Sequence, residues 1–149
     1  MQNEHESVGT WAKAYHLAAR TMIESILREY DLGPTQWYVL YQLVNDGPTL
    51  QRDLGQKLRI ERATLSSIVG TLVRKGLVEQ TPDSVDQRQR VLHITAAGSK
   101  VWEGLPDPIS LTHGIAFDGA DSADLAVALR VLQTATRRLN DHMSAVNNS

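Results

Sequence analysis

Apolar side chains recur at helical spacing in several stretches, and helix-breaking residues separate the stretches. Residues 8–30 form the first, where steps of three and four predict an amphipathic helix. Gly33 and Pro34 end that element and begin a second helix, which ends near Asp46, because proline suits the first turn of a helix. The apolar positions of the first helix are Trp11, Tyr15, Ala18, Met22 and Ile26.

A short third helix and a longer fourth helix follow, with a tight junction at residues 58–60. Thr49 is predicted to cap the third helix. The fourth helix is predicted to begin near Glu61 and to run to Lys75, where Gly76 supplies the C-terminal stop. The apolar positions of these two helices are Leu50, Leu54, Leu58, Leu65, Ile68, Val69 and Leu72.

The pattern then changes from a helical period to short strands. Residues 77–80 and 91–94 are strand-like, and the polar stretch 81–90 between them predicts a β-hairpin with a long tip. Helices followed by a two-stranded wing are typical of a winged helix-turn-helix. The predicted fold is therefore mainly α with a small β-hairpin wing.

The C-terminal third is predicted to be helical with one interruption. Thr95 suits the cap of a fifth helix that ends near Gly104, and prolines and glycines in residues 105–120 predict a broken or irregular helix there. Asp121 and Asp124 resemble a capping box that opens a last helix. The apolar positions of this last helix are Leu125, Leu129, Leu132, Ala135 and Leu139.

The charge distribution changes the functional interpretation. The chain has 149 residues and a formal net charge of −2, which by itself argues against binding nucleic acid. Residues 51–100, however, carry nine basic and five acidic side chains, whereas the two flanking thirds are each acidic. A basic middle predicts one cationic face, although uneven charge on a solvated surface is an equally good interpretation of charge alone.

Composition excludes several classes of protein. The chain contains no cysteine, so disulfides, thiol chemistry and cysteine-ligated zinc are excluded. No apolar run is long enough to span a membrane, and the polar N-terminus has no secretory pattern. We therefore expect a cytoplasmic protein without a membrane partner.

The start of the fourth helix is a candidate DNA-reading surface. Small and hydroxyl side chains would let this helix enter a major groove, where they could meet base edges and phosphates. The alternative is an ordinary amphipathic helix with a polar first turn. The candidates are Arg62, Ala63, Thr64, Ser66 and Ser67, to which Arg74 is added near the helix end.

The hairpin tip is the second candidate. Arg88 and Arg90 alternate just before a strand, so both would point to one face. An arginine on a protruding loop can enter a narrow minor groove. Asp86 is a plausible hydrogen-bonding brace for Arg88. A solvated charged turn is the alternative.

These segments together resemble the MarR family. The stretch 86–98 matches its wing signature: D-x-R, three residues, two apolar residues flanking one position, then T-x-x-G. Residues 72–78 look like the end of the family's recognition helix, and residues 35–40 look like its second helix. The resemblance covers roughly residues 8–140.

The resemblance implies a single domain over residues 1–149. It implies dimerisation helices at about 8–32 and 100–147 and a winged helix DNA-binding lobe at 34–98. Such dimers bind a pseudo-palindromic operator, and many members are repressors released by a small aromatic or phenolic anion. No cofactor is implied. Two departures are Ser67, where many members have a long basic residue, and the proline and glycine content of 105–119.

The resemblance also implies a ligand pocket between the dimer region and the DNA-binding lobe. An arginine beside aromatic rings would hold a carboxylate against an apolar wall. The alternative is structural, because Arg20 can pair with Glu24 and the two aromatic residues lie at core spacing. The matching positions are His16, Arg20, Thr35, Trp37 and Tyr41.

Four other classes of protein compete with this interpretation. The sequence has no phosphate loop, metalloprotease motif or nucleophile elbow, so we expect no enzyme. A metal-sensing winged helix would have Glu4, His5 and Glu6 as its candidates. A winged helix that binds protein would need an uncharged recognition face, which the basic residues oppose. A peroxide sensor would need a reactive cysteine, and the chain has none.

Overall fold

The computed structural model describes residues 6–149 and contains seven helices and three strands in that range. In chain order these are α1 (Val8–Arg28), α2 (Pro34–Asp46), β1 (Thr49–Leu50), α3 (Gln51–Leu58), α4 (Arg62–Arg74), β2 (Val78–Pro82), β3 (Arg90–Ile94), α5 (Ala96–Gly104), α6 (Pro108–Ala116) and α7 (Ser122–Asn147). The chain separates into two compact units, one ending at Thr112 and the other comprising His113–Ser149. None of the helices in residues 6–149 is long and apolar enough to cross a membrane.

The core of the first unit is built from the predicted apolar stripes. The C-terminal half of α1 contributes Ile23 and Leu27, whereas Trp11 and Tyr15 on the same predicted stripe remain exposed. The winged lobe, residues 34–98, supplies most of the other buried side chains. They are Trp37, Val39, Leu40, Leu43, Leu54, Leu65, Val69, Leu72, Leu77, Val78 and Leu92.

The wing is a three-stranded antiparallel sheet in the order β1-β3-β2, not the two-stranded hairpin that was predicted. β1 pairs with β3 through Thr49↔Leu92, so Thr49 does not cap the third helix as predicted. Its hydroxyl donates to the carbonyl of Gly47 at 2.9 Å, and the cap position of α3 is Leu50, without a side-chain cap. A two-residue strand is too short to leave an alternating pattern in the sequence.

A tight turn joins α3 to α4. Arg59 adopts the left-handed conformation with φ of 55°, and the Ile60 N–H donates to the carbonyl of Gly55 at 2.9 Å. A Cβ on Gly55 would lie 3.2 Å from a methyl of Leu65. The small residue at position 55 therefore lets the two helices approach closely, which sets the start of α4 beside α3.

The T-x-x-G segment, residues 95–98, joins the start of α5 to the chain that enters β2. Thr95 Oγ1 accepts from the N–H of Gly98 at 2.9 Å and donates to the carbonyl of Gly76 at 2.6 Å. A Cβ on Gly98 would lie 2.2 Å from the carbonyl oxygen of Leu77, closer than atoms can approach. Position 98 therefore requires glycine, because α5 begins directly against the chain entering β2.

Residues 105–120 are more regular than expected. They contain α6, which begins at Pro108 after Asp107, and Asp107 Oδ1 accepts from the N–H groups of Ile109 and Ser110. The helix is separate from α5 and α7, so the predicted interruption is present, but the nine residues of α6 are helical throughout. The expectation of irregular structure was wrong for α6, since prolines at and before a helix start are compatible with a regular helix.

The helix α7 in the second unit is 26 residues long and has no buried residue of its own. Asp121 caps it as predicted, with Oδ1 accepting from the N–H of Ala123 at 2.8 Å. Apolar residues follow alternating steps of four and three, a heptad repeat with one threonine in it. This α7 seam consists of Leu125, Leu129, Leu132, Thr136, Leu139, Met143 and Val146.

Candidate nucleic-acid interface

An open groove of about 1030 Å³ lies between the start of α4 and the wing. Its walls come from α3, the turn between α3 and α4, the first turns of α4, β2, the segment that joins β2 to β3, and the first residue of β3. We call this the interface groove. It is lined by Gln51, Arg52, Gly55, Gln56, Arg59, Ile60, Glu61, Arg62, Leu65, Ser66, Gln80, Asp86, Arg88, Gln89 and Arg90.

The interface groove is cationic although the chain is acidic overall. Five arginines line it, against the carboxylates of Glu61 and Asp86 alone. Arg88 is braced by Asp86, and Arg52 pairs with Asp53 at 3.6 Å. The structure gives Arg59, Arg62 and Arg90 no carboxylate partner within residues 6–149. The groove therefore presents arginine side chains that can bind an anionic polymer such as a phosphate backbone.

The wing tip, residues 83–89, is an ordered loop held by its two aspartates. Asp86 Oδ1 accepts from both the N–H and the Nε–H of Arg88, at 3.1 and 3.2 Å, which confirms the predicted brace. Asp83 Oδ2 accepts from the N–H of Asp86 at 3.1 Å. The side chain of Arg88 remains 90% exposed, so the loop supports an arginine that extends into solvent.

The candidates on α4 lie at two places. Arg62, Ala63, Thr64, Ser66 and Ser67 are all exposed in the first two turns, and two of them, Arg62 and Ser66, line the interface groove. Arg74 lies at the other end of the helix, roughly 18 Å from Arg62 along the axis. There it donates to Thr71 Oγ1 at 3.0 Å and is not part of the groove lining.

Several groove residues were not predicted from the sequence. Arg52 and Arg59 belong to the basic middle of the chain, and their charge was the only available signal. Gln51 and Gln80 left no signal, because their contacts join α3 to α4 and β2. Gln51 Nε2 donates to Ser66 Oγ at 3.3 Å, and Gln80 Nε2 donates to Gln51 Oε1 at 2.8 Å.

The ligand candidates fall into an aromatic cluster and a set of separate residues. Trp37 stacks on Tyr41 with ring centroids 5.3 Å apart and contacts Trp102 at 5.4 Å. Trp37 is buried and Tyr41 is 40% exposed. The predicted ring wall is therefore present, and Trp102 of α5, which was not predicted, belongs to it.

Arg20 lies near this cluster and is also paired on its own helix. It contacts Glu24 at 3.3 Å, as the structural alternative predicted. Its charge also lowers the pKa of Tyr38, whose net pKa is nevertheless raised because burial disfavours the phenolate. The ring of Tyr38 lies edge-on to Trp37 at 5.1 Å. The charge of Arg20 therefore acts on Tyr38, a residue that was not predicted from the sequence.

The remaining ligand candidates are Thr35, half-buried at the start of α2, and His16, exposed on α1. Within the part of the chain that the structure describes, no hydrogen bond or ring contact joins either one to the aromatic cluster. Of the metal candidates, Glu4 and His5 lie outside the described residues. Elsewhere, in residues 6–149, no group of three or more metal-binding side chains comes together.

Comparison with known proteins agrees with this geometry. The sequence model of the MarR family matches residues 30–89, which run from the end of α1 through the wing tip. This part of the chain is similar to the MarR family. The HTH-type transcriptional regulator FarR of Neisseria gonorrhoeae is 28% identical over 108 residues, covering 72% of this chain and 74% of FarR. The predicted resemblance to the MarR family is confirmed.

Solved structures match the fold over nearly the whole chain. The PcaV regulator of Streptomyces coelicolor, in complex with its natural ligand, superposes with a TM-score of 0.79 at 22% identity, covering 92% of this chain and 96% of PcaV. A MarR mutant from E. coli complexed with operator DNA gives 0.78 at 20% identity, covering 89% and 96%. The predicted winged helix-turn-helix fold is confirmed. FarR and the other curated relatives are transcriptional regulators.

Proposed function

We propose that this protein is a homodimeric MarR-family repressor that binds a pseudo-palindromic duplex operator and is released by a small aromatic or phenolic anion. The observation that carries the DNA part is the interface groove, where five arginines gather in an acidic protein. As an operator-binding repressor it would act in the cytoplasm.

DNA binding follows from the two walls of the groove. The start of α4 is exposed and carries small and hydroxyl side chains, which suits insertion into a major groove. Arg88 extends from the wing tip and would reach the adjacent minor groove, where narrow A·T-rich DNA attracts arginine. Thr64, Ser66 and Ser67 would read base edges, while Arg62, Arg90 and the helix start would hold phosphates. Arg74, at the far end of α4, would contribute only by long-range charge.

Dimerisation is supported by apolar faces that a single chain leaves uncovered. The α7 seam includes Leu129 at 60% and Leu139 at 68% exposure, and α1 exposes Trp11 at 62%. A heptad of this length is a surface for a second helix. A two-fold dimer would also place two copies of α4 on successive major grooves of a pseudo-palindrome.

Induction by an aromatic anion is supported by the aromatic cluster and by Arg20. The partly exposed ring of Tyr41, stacked on the buried Trp37, offers an apolar wall, and the guanidinium lies close enough to Tyr38 to affect its pKa. PcaV, a relative in fold, binds its natural ligand. A ligand anion would have to compete with Glu24 for Arg20, and His16 and Thr35 would add hydrogen bonds.

The DNA proposal is tested by selecting duplexes from a random library with the purified protein and measuring affinity for the selected site. Arg62→Ala and Arg90→Ala should each weaken binding about tenfold and should reduce the salt dependence. Arg138→Ala on α7 removes the same charge from a residue that does not line the groove, and it should change affinity little. Failure to enrich any duplex, or equal losses in all three variants, would refute the proposal.

The ligand proposal is tested by titrating benzoate and salicylate into the protein, with tryptophan fluorescence as the readout. Arg20→Ala should weaken binding about tenfold or more, because a charged hydrogen bond is lost. Arg28→Ala, on the same helix, is the matched control. Linkage requires that operator DNA weaken ligand binding by the factor with which ligand weakens DNA binding. No quenching at millimolar acid, or quenching that is unaffected by DNA, would contradict induction.

A further inference from the structure

A chain of three polar side chains crosses the interface groove. Gln80 on β2 donates to Gln51 at the start of α3, and Gln51 in turn donates to the hydroxyl of Ser66 on α4. The two distances are 2.8 and 3.3 Å. The chain connects the wing sheet to the second turn of the helix proposed to read bases.

The order of donors in this chain determines what Ser66 can offer. A serine hydroxyl has one proton and two lone pairs. Because Ser66 Oγ accepts from Gln51, one lone pair is occupied and the proton is left for another partner. Thr71 in the same helix instead donates to the backbone carbonyl of Ser67 at 3.1 Å. Across residues 6–149, Ser66 Oγ has no bond of that kind, so its proton is available in the groove.

The contact with Gln80 bears on which end of the Gln51 amide faces Ser66. The amide of Gln51 could in principle turn over and offer its oxygen to Ser66. Its oxygen, however, already accepts from Gln80 Nε2 at the shorter distance of 2.8 Å. In the orientation that the structure gives both amides, the nitrogen of Gln51 faces Ser66.

We propose that Gln51 and Gln80 are positioning residues that make Ser66 a hydrogen-bond donor to DNA. Ser66 then selects a base with an acceptor edge in the major groove, which guanine N7 and O6 or thymine O4 present, over the amino group of cytosine. The inference rests on the proposed function, in which α4 enters the major groove. Two residues that touch no base would thus set the preference at one base pair.

The test reverses the direction of the hydrogen bond between Gln51 and Ser66. Gln51→Glu replaces the amide donor with a carboxylate, to which Ser66 would now donate, so that the hydroxyl offers only lone pairs to DNA. Gln56→Glu is the matched control, because it adds the same charge to α3 in the same groove without a bond to Ser66. Affinities are measured on a panel of duplexes in which each base pair of one selected half-site is replaced in turn. Thermal melting of each variant checks its folding.

Gln51→Glu should shift the preference at one base pair by about three- to tenfold towards a donor edge, the range for one hydrogen bond. Gln56→Glu should weaken binding to all duplexes alike. Gln80→Ala should weaken the preference at that same base pair, and adding Ser66→Ala to Gln51→Glu should abolish the altered preference.

Two results would overturn the inference while leaving sequence-specific DNA binding intact. One is an identical ranking of duplexes for Gln51→Glu and Gln56→Glu. The other is a Ser66→Ala variant whose preferences match those of the wild type. A wild-type protein that prefers no duplex over random DNA would refute the proposed function, and this inference with it.

Discussion

The winged lobe and α7 have similar apolar patterns, but the apolar side chains of the lobe are buried and those of α7 are exposed. On α4, Leu65 and Leu72 are 2% and 0% exposed, because α2, α3 and the sheet cover them. On α7, Leu129 and Leu139 follow the same spacing of three and four and remain 60% and 68% exposed. A helical apolar stripe therefore does not by itself show whether the same chain covers it.

The prediction with the largest expected effect tests whether a second copy of the chain packs on the α7 seam. Leu132→Asp should destabilise the dimer by about 4 kcal/mol, since two leucines are lost per dimer at about 2 kcal/mol each. Thr134→Asp, on the opposite side of the seam, should leave assembly unchanged. Sedimentation at low micromolar concentration measures both. A wild-type monomer, or equal behaviour of the two variants, would show that the seam is not an interface.

The second prediction tests the close packing inside the lobe. Gly98→Ala should lower the free energy of unfolding by about 3 kcal/mol, because the added methyl meets the carbonyl of Leu77. Gly104→Ala is the control in the same helix, since its added Cβ would contact nothing within 4 Å. Urea denaturation compares the two variants. Similar stabilities would mean that α5 can shift away from the sheet at little cost.

The third prediction separates the surface of the lobe from its core. Arg88→Ala should weaken binding to a selected operator by about 1–3 kcal/mol. Its melting and dimerisation should match those of the wild type, because the side chain is 90% exposed. Gln87→Ala, the exposed neighbour in the wing tip, should bind as the wild type does. Titrations of one duplex at fixed salt decide whether the tip acts through Arg88 itself.

The smallest effect concerns Tyr38 and alkaline pH. Burial raises the pKa of Tyr38 above its usual value, so the folded state keeps this proton when the unfolded chain has lost it. The stabilising effect is complete below about pH 10 and is lost as pH rises through the folded pKa. Phenolate absorbance should show one late-titrating tyrosine that Tyr38→Phe removes. Arg20→Ala should raise the pKa of Tyr38 further. An unchanged titration in this variant would show that the charge of Arg20 does not act on Tyr38.

Features within one segment of chain were predictable. The bounds of α2 and α4, the caps at Thr95 and Asp121 and the brace between Asp86 and Arg88 all depend on neighbours a few residues apart. β1 was missed because its two residues are ordered by pairing with β3, more than forty positions later. Trp102 and Tyr38 were missed for the same reason, since each is defined by a ring or charge on another element.

The sequence by itself determined the helices other than α6, the β2–β3 hairpin of the wing, the cationic middle of the chain and the family resemblance, because periodicity, caps and charge are local properties. Only the tertiary structure decided which cations face one groove. It brought Arg52 and Arg59 together with the wing arginines and left Arg74 at the far end of its helix. It also joined Gln80, Gln51 and Ser66 from three elements. Hydrogen bonds and electrostatic contacts depend on distance in space, and the order of residues along the chain does not contain that distance.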